Sequence, residues 1–225
     1  MRQLAVQKNE TTPLGVAVTF FIFLFVSAQI LSANANEPTI GDAEKGKQLS
    51  QVCVACHGEG GQSVVPNFPK LAGQHPAYLL KQMRDMRPNK DNVILRNVVE
   101  MQGIIAGFSE QDLMDLAAYY AAQKESLGQA EKQYVELGQK IYRAGIPKIN
   151  IPACSACHSP TGDGNKAAGY PKLRGQFAAY TEKSLKAFRD GSRTNDAETQ
   201  VMRNIAERLS DAEIKAVSSY ISGLY

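Results

Sequence analysis

Cys53-Val-Ala-Cys56-His57 and, at an offset of 101 residues, Cys154-Ser-Ala-Cys157-His158 are the two stretches that decide how this chain folds. All four cysteines of the sequence lie within them. The same register runs on past the cysteines. Pro69-Lys70-Leu71 returns as Pro171-Lys172-Leu173, Gly73-Gln74 as Gly175-Gln176, Tyr78 as Tyr180 and Arg87 as Arg189, all at an offset of 102. At Met101 and Met202 the offset is 101 again, and it holds for Ser109 with Ser210, Asp112 with Glu213 and Tyr119 with Tyr220. On this reading one residue is gained and lost between the anchors and nothing else moves. A repeat of this length is too long for a solenoid unit and suits a small domain. Residues 36–126 and 127–225 are therefore expected to be two copies of one domain, joined through a polar stretch at residues 124–130.

The pattern within each copy is helical. Ser109-x-x-Asp112 and Ser210-x-x-Glu213 are capping boxes, each opening an amphipathic run. The apolar positions are Leu113, Leu116, Ala117 and Tyr120 in one run and Ile214, Val217, Tyr220 and Ile221 in the other. Residues 78–86 and 180–188 also carry helical spacing. The segments after each histidine are rich in Gly and Pro and read as loops. No convincing alternating strand is present, so the expected class is all-α. Nine more residues separate Gly138 from Cys154 than separate Gly46 from Cys53, and the segment around Ile146–Pro152 is expected to form a loop before the second motif.

C-x-x-C-H is the attachment signature of a c-type haem. Two thiols one helical turn apart can add to the two vinyl groups of one porphyrin, and the adjacent histidine then lies under the iron. A thioredoxin-type redox pair is a competing reading, but no βαβ pattern surrounds either motif. Zinc shared between the two pairs is another, and it leaves the repeated histidines and methionines unexplained. The cofactors expected are two covalent haem c groups, on Cys53 and Cys56 and on Cys154 and Cys157, with His57 and His158 as axial ligands.

A Met at the second axial position raises the reduction potential and suits electron transfer. The second copy holds one methionine, Met202, and the first holds four: Met83, Met86, Met101 and Met114. Only Met101 shares the register of Met202, and both follow their histidine by 44 residues. Met101 and Met202 are therefore the expected sixth ligands. The other three, whose counterparts are Leu185, Phe188 and Lys215, read as core filler. His75, the remaining histidine, has Phe177 as counterpart and reads as a surface or partly packed residue. A carbonyl from the loop at Pro69 or Pro171 could accept the other ring N–H of His57 or His158.

With 44% hydrophobic and 21% charged residues the composition is that of a globular protein, and a net charge of +3 with no basic run argues against nucleic acid. Arg2 and Lys8, an apolar run from Leu14 to Val26 and the small-x-small pair Ala33 and Ala35 read as a secretory leader, residues 1–35, cut after Ala35. An uncleaved anchor is the alternative. The two copies differ in charge. Residues 36–125 hold nine basic and eleven acidic side chains, and residues 126–225 hold fourteen and ten. A dipole of this kind would steer encounters in a salt-dependent way.

On these residues the chain resembles the cytochrome c4 family, dihaem members of the class I cytochromes c. The resemblance covers the mature chain. It rests on both haem motifs, on Asn67–Gln74 and Tyr170–Gln176, on Met202–Ser210 and on the closing Ala216–Leu224. It implies two tandem class I cytochrome c domains packed about a pseudo-twofold, with haem propionates near their interface. It further implies a periplasmic electron carrier rather than an enzyme, set between partners such as a cytochrome bc complex and a haem–copper terminal oxidase, with peripheral membrane association in some members. The alternative is the cytochrome subunit of a larger dehydrogenase. A dihaem peroxidase would need an open iron position, which two matched methionines argue against.

Overall fold

Each half begins and ends with a helix, and the two helices cross where a glycine lets them touch. In the computed structural model, which describes residues 41–225, α1 (Ala43–Leu49) packs on α5 (Glu110–Ala121), and α6 (Lys132–Ala144) packs on α10 (Asp211–Ser222). Gly46 lies against the Asp115 backbone, and Gly138 lies against that of Ala216. The expected leader and its cleavage site fall outside the described residues.

Between these crossings the halves run in parallel order. The short motif helices α2 (Val54–His57) and α7 (Ser155–His158) come first, then α3 (Pro76–Asp85) and α8 (Ala178–Arg189), then α4 (Val99–Ile105) and α9 (Val201–Ala206). Both capping boxes form. Ser109 N donates to Asp112 Oδ2 at 2.8 Å and Ser210 N to Glu213 Oε2 at 2.8 Å, which satisfies amides that the first helical turn leaves open. Among the described residues there is no strand, only isolated bridges, so the class is all-α as expected. No described helix is long and apolar enough to cross a membrane.

Two cores result. Leu79, Leu80, Leu113, Leu116, Tyr119 and Tyr120 fill the first half, and Ile141, Tyr142, Val217, Tyr220, Ile221 and Leu224 the second. The additional segment before Cys154 closes on itself through paired backbone bonds between Ile146 and Ile151, 2.9 and 3.2 Å. Ile151 is buried against Leu209 and Ile214, so the loop adds a side chain to the core.

The repeat is less uniform than the sequence reading has it. Arg96 N donates to Asp85 O at 2.8 Å, and Arg193 N donates to Ala187 O at 2.9 Å. Asp85 and Ala187 keep the offset of 102, so Arg96 and Arg193 are structural counterparts at an offset of 97. The first half is longer before this arginine and the second half is longer after it. The two changes nearly cancel, which is why the methionines still fall at 101.

Candidate haem sites

The motif helices set the geometry. Cys53 ends the 3₁₀ turn Ser50–Cys53, and one turn of α2 then carries Cys56 and His57. Cys154 precedes α7, whose single turn carries Cys157 and His158. The four thiols are unbonded and partly buried. Burial pushes the Cys53 thiol up and that of Cys154 to about 11. Reactive redox cysteines need the opposite shift, and no strand flanks either motif among the described residues, both of which count against the thioredoxin-type reading. Among the described residues no three His, Cys, Asp or Glu side chains converge as metal ligands, which removes the shared-zinc reading.

His57 and His158 are both buried. His57 Nδ1 lies 2.9 Å from Pro69 O, and His158 Nδ1 lies 2.9 Å from Pro171 O. A carbonyl oxygen only accepts, so each ring carries its proton on Nδ1 and keeps the Nε2 lone pair for a metal. Burial holds both imidazoles below their ordinary pKa, in the neutral form that ligates. Phe68 stands edge-on to the His57 ring at 6.3 Å, and Tyr170 lies 6.0 Å from that of His158. A cysteine pair for covalent attachment beside one oriented imidazole fits a haem and leaves a bare ion short of ligands.

Met101 and Met202 lie in the first turns of α4 and α9, both partly buried. Met83 and Met114 pack against the first core, and Met86 is buried. His75 stands at the N-cap of α3 and joins neither motif.

Sequence reading missed what joins the halves. Gln82 Oε1 accepts from Arg96 Nη1 (2.7 Å), Asn195 Nδ2 (2.9 Å) and Arg193 Nη2 (3.2 Å), all buried. Arg96 Nη2 also donates to Tyr180 OH (2.8 Å), and Arg193 Nη2 donates to Tyr78 OH (3.1 Å). Burial alone would raise the Tyr180 pKa, but the two guanidiniums outweigh it and hold the phenol at about 8. The repeated tyrosines were visible in the sequence, but the arginines were hidden by their displaced register. Gln74 and Gln176 form a second junction. Gln74 Nε2 donates to Lys172 O (2.8 Å) and its Oε1 accepts from Lys172 N (2.9 Å), while Gln176 makes the same pair of bonds to Lys70, at 3.0 and 3.0 Å.

Comparison with known proteins agrees with this geometry. The family model for cytochrome c matches residues 43–123 and again 135–224. Cytochrome c4 of Azotobacter vinelandii is 51% identical over 189 residues, 82% of this chain and 90% of that protein. The crystal structure of reduced recombinant cytochrome c4 from Pseudomonas stutzeri superposes with a TM-score of 0.79 at 50% identity, covering 82% of this chain and all of that one. A thiosulfate dehydrogenase electron acceptor of Thiomonas intermedia is 34% identical over 178 residues, 76% of this chain and 77% of that protein. Two tandem cytochrome c domains, each with a C-x-x-C-H haem-binding site, and a half-identical relative over most of the chain make this protein a member of the cytochrome c4 family of dihaem electron carriers.

Proposed function

We propose that the chain carries single electrons between larger redox proteins outside the cytoplasm, with His57 and Met101 ligating one haem iron and His158 and Met202 the other. On this reading residues 1–35 are a leader removed on export to the periplasm, and residues 36–126 and 127–225 are the two haem domains. The observation that carries it is the doubling of one arrangement. In each half a buried imidazole is held by a proline carbonyl, and a methionine 44 residues on stands in the first turn of the matching helix.

When bound, each haem supplies a one-electron couple, and its potential is raised by a thioether ligand. The chain's own residues do the rest. The Pro69 and Pro171 carbonyls fix the tautomer and tilt of the imidazoles. Burial of the histidines keeps water from the ligand bond, and a methionine that stays in place leaves no position for a substrate. A cytochrome bc complex as donor and a haem–copper terminal oxidase as acceptor, met by peripheral association with the membrane, suit such a carrier.

Met202→Ala in the holoprotein tests the ligand assignment. Both haems should remain attached by mass. The long-wavelength methionine–iron band should fall to half, and one midpoint potential should drop while its neighbour holds. Unchanged potentials would overturn the assignment. A second reading, a cytochrome subunit of a dehydrogenase, is favoured by the likeness to the thiosulfate dehydrogenase electron acceptor. Purification from a native host as a stable complex with a catalytic subunit would establish it, and a free dihaem protein would exclude it.

A further inference from the structure

The Pro69 carbonyl that orients His57 and the Lys70 amide that bonds Gln176 are the two ends of one peptide group. The chain of contacts runs from His57 Nδ1 to Pro69 O (2.9 Å), through that peptide to Lys70 N, and from there to Gln176 Oε1 in the other half (3.0 Å). The second half repeats it. His158 Nδ1 meets Pro171 O at 2.9 Å, and Lys172 N, on the same peptide, donates to Gln74 Oε1 at 2.9 Å.

The geometry points to Gln74 and Gln176 as positioning residues that tune, each across the domain boundary, the haem ligand of the opposite domain. The inference rests on the reading of His57 and His158 as axial ligands. An amide whose N–H is hydrogen-bonded is polarised, and its carbonyl becomes a stronger acceptor. Gln176 thus strengthens the pull of Pro69 O on the Nδ1 proton of His57. A stronger pull makes the imidazole a better donor to iron, and that favours the ferric state. Each glutamine is itself held for this task. Gln176 Oε1 also accepts from Phe177 N (3.0 Å) while its amide donates to Lys70 O (3.0 Å). Gln74 Oε1 also accepts from His75 N (3.0 Å) while its amide donates to Lys172 O (2.8 Å). The side chains can therefore neither flip nor swing without losing bonds at both ends.

The effect must appear in the domain that was not mutated, which a general loosening of the interface would not produce. The test uses holoprotein carrying Gln176→Leu or Gln74→Leu, with potentiometry of both haems and nitrogen-15 NMR of the ferrous state. Gln176→Leu should raise the reduction equilibrium constant of the first-domain haem about threefold, ~28 mV at 59 mV per decade, and move the second-domain haem less. Gln74→Leu should do the reverse. In each case the Nδ1 proton of the opposite domain's histidine should shift upfield as its hydrogen bond weakens. Gln176→Glu, which keeps the acceptor for Lys70 N while giving up the bond to Lys70 O, should remove the rise. Equal shifts in both haems, a shift confined to the mutated domain, or no shift in Gln176→Leu would overturn the inference. Ring-current shifts on His57 and Met101 report the axial assignment separately, so its failure would be visible in the unmutated protein.

Discussion

Arg193 of the second half donates to Gln82 Oε1 of the first at 3.2 Å, on an oxygen that Arg96 and Asn195 already share. One amide oxygen thus satisfies three buried donors, two of them charged. Gln82→Leu keeps the volume and removes the acceptor. A buried donor left unpaired costs about 1–3 kcal/mol, so the variant should lose about 3 kcal/mol in denaturant unfolding of the holoprotein. A loss under about 1 kcal/mol would mean that water or Asp85 takes over the donors.

Gly46→Ala and Gly138→Ala should each destabilise strongly. A Cβ would run into Asp115 O in the first case and into Ala216 O in the second, and neither backbone can yield while its helix stays intact. Overpacking of this kind costs about 3 kcal/mol or more. Thermal unfolding of the two variants should show similar losses, because the two crossings are equivalent.

Ser159 follows His158 with φ 66° and ψ 158°, where its counterpart Gly58 has φ 73° and ψ 167°. That region of backbone space is nearly reserved for glycine, and a side chain there costs about 1–3 kcal/mol. The Ser159 hydroxyl recovers part of this by accepting from Asp163 N at 2.9 Å, a bond of about 1 kcal/mol. Ser159→Gly should therefore stabilise the protein by about 1 kcal/mol, read from the midpoint of urea unfolding.

Ser109→Ala should cost about 1 kcal/mol through loss of the α5 cap. Asp112 adds a pH signature. Its hydrogen bonds to the Ser109 side chain and backbone hold its carboxyl below the ordinary 3.8. A depressed pKa contributes stability that is complete above the unfolded value and is lost as pH falls through the folded one. Protection of the amides in the first turn of α5, relative to their intrinsic exchange rates, should fall only below pH 3.8, and Asp112→Asn should abolish the transition.

The two haem-binding motifs, the all-α class and both capping boxes were legible in the sequence because each is a local pattern with a fixed spacing. His75 and the methionines at 83, 86 and 114 were set aside by register alone; Met83 and Met114 pack against the first core and Met86 is buried. The proline carbonyls were foreseen as one possibility and are found at 2.9 Å in both halves. The glutamine and arginine junctions were not legible. Their bonds join residues about a hundred positions apart, and no local pattern marks a polar side chain that is satisfied at that range. The length changes around Arg96 and Arg193 nearly cancel, so the sequence register passed over the arginine contacts.

Gln74 seeks the amide and carbonyl of a lysine in the motif loop of its neighbour, and its own loop offers that same pair at Lys70. Each half displays the complement of what it requires, so the junction obeys the rule of a symmetric dimer. A single copy with this surface would fit its twin, and joining two copies head to tail makes permanent a partnership that concentration would otherwise govern.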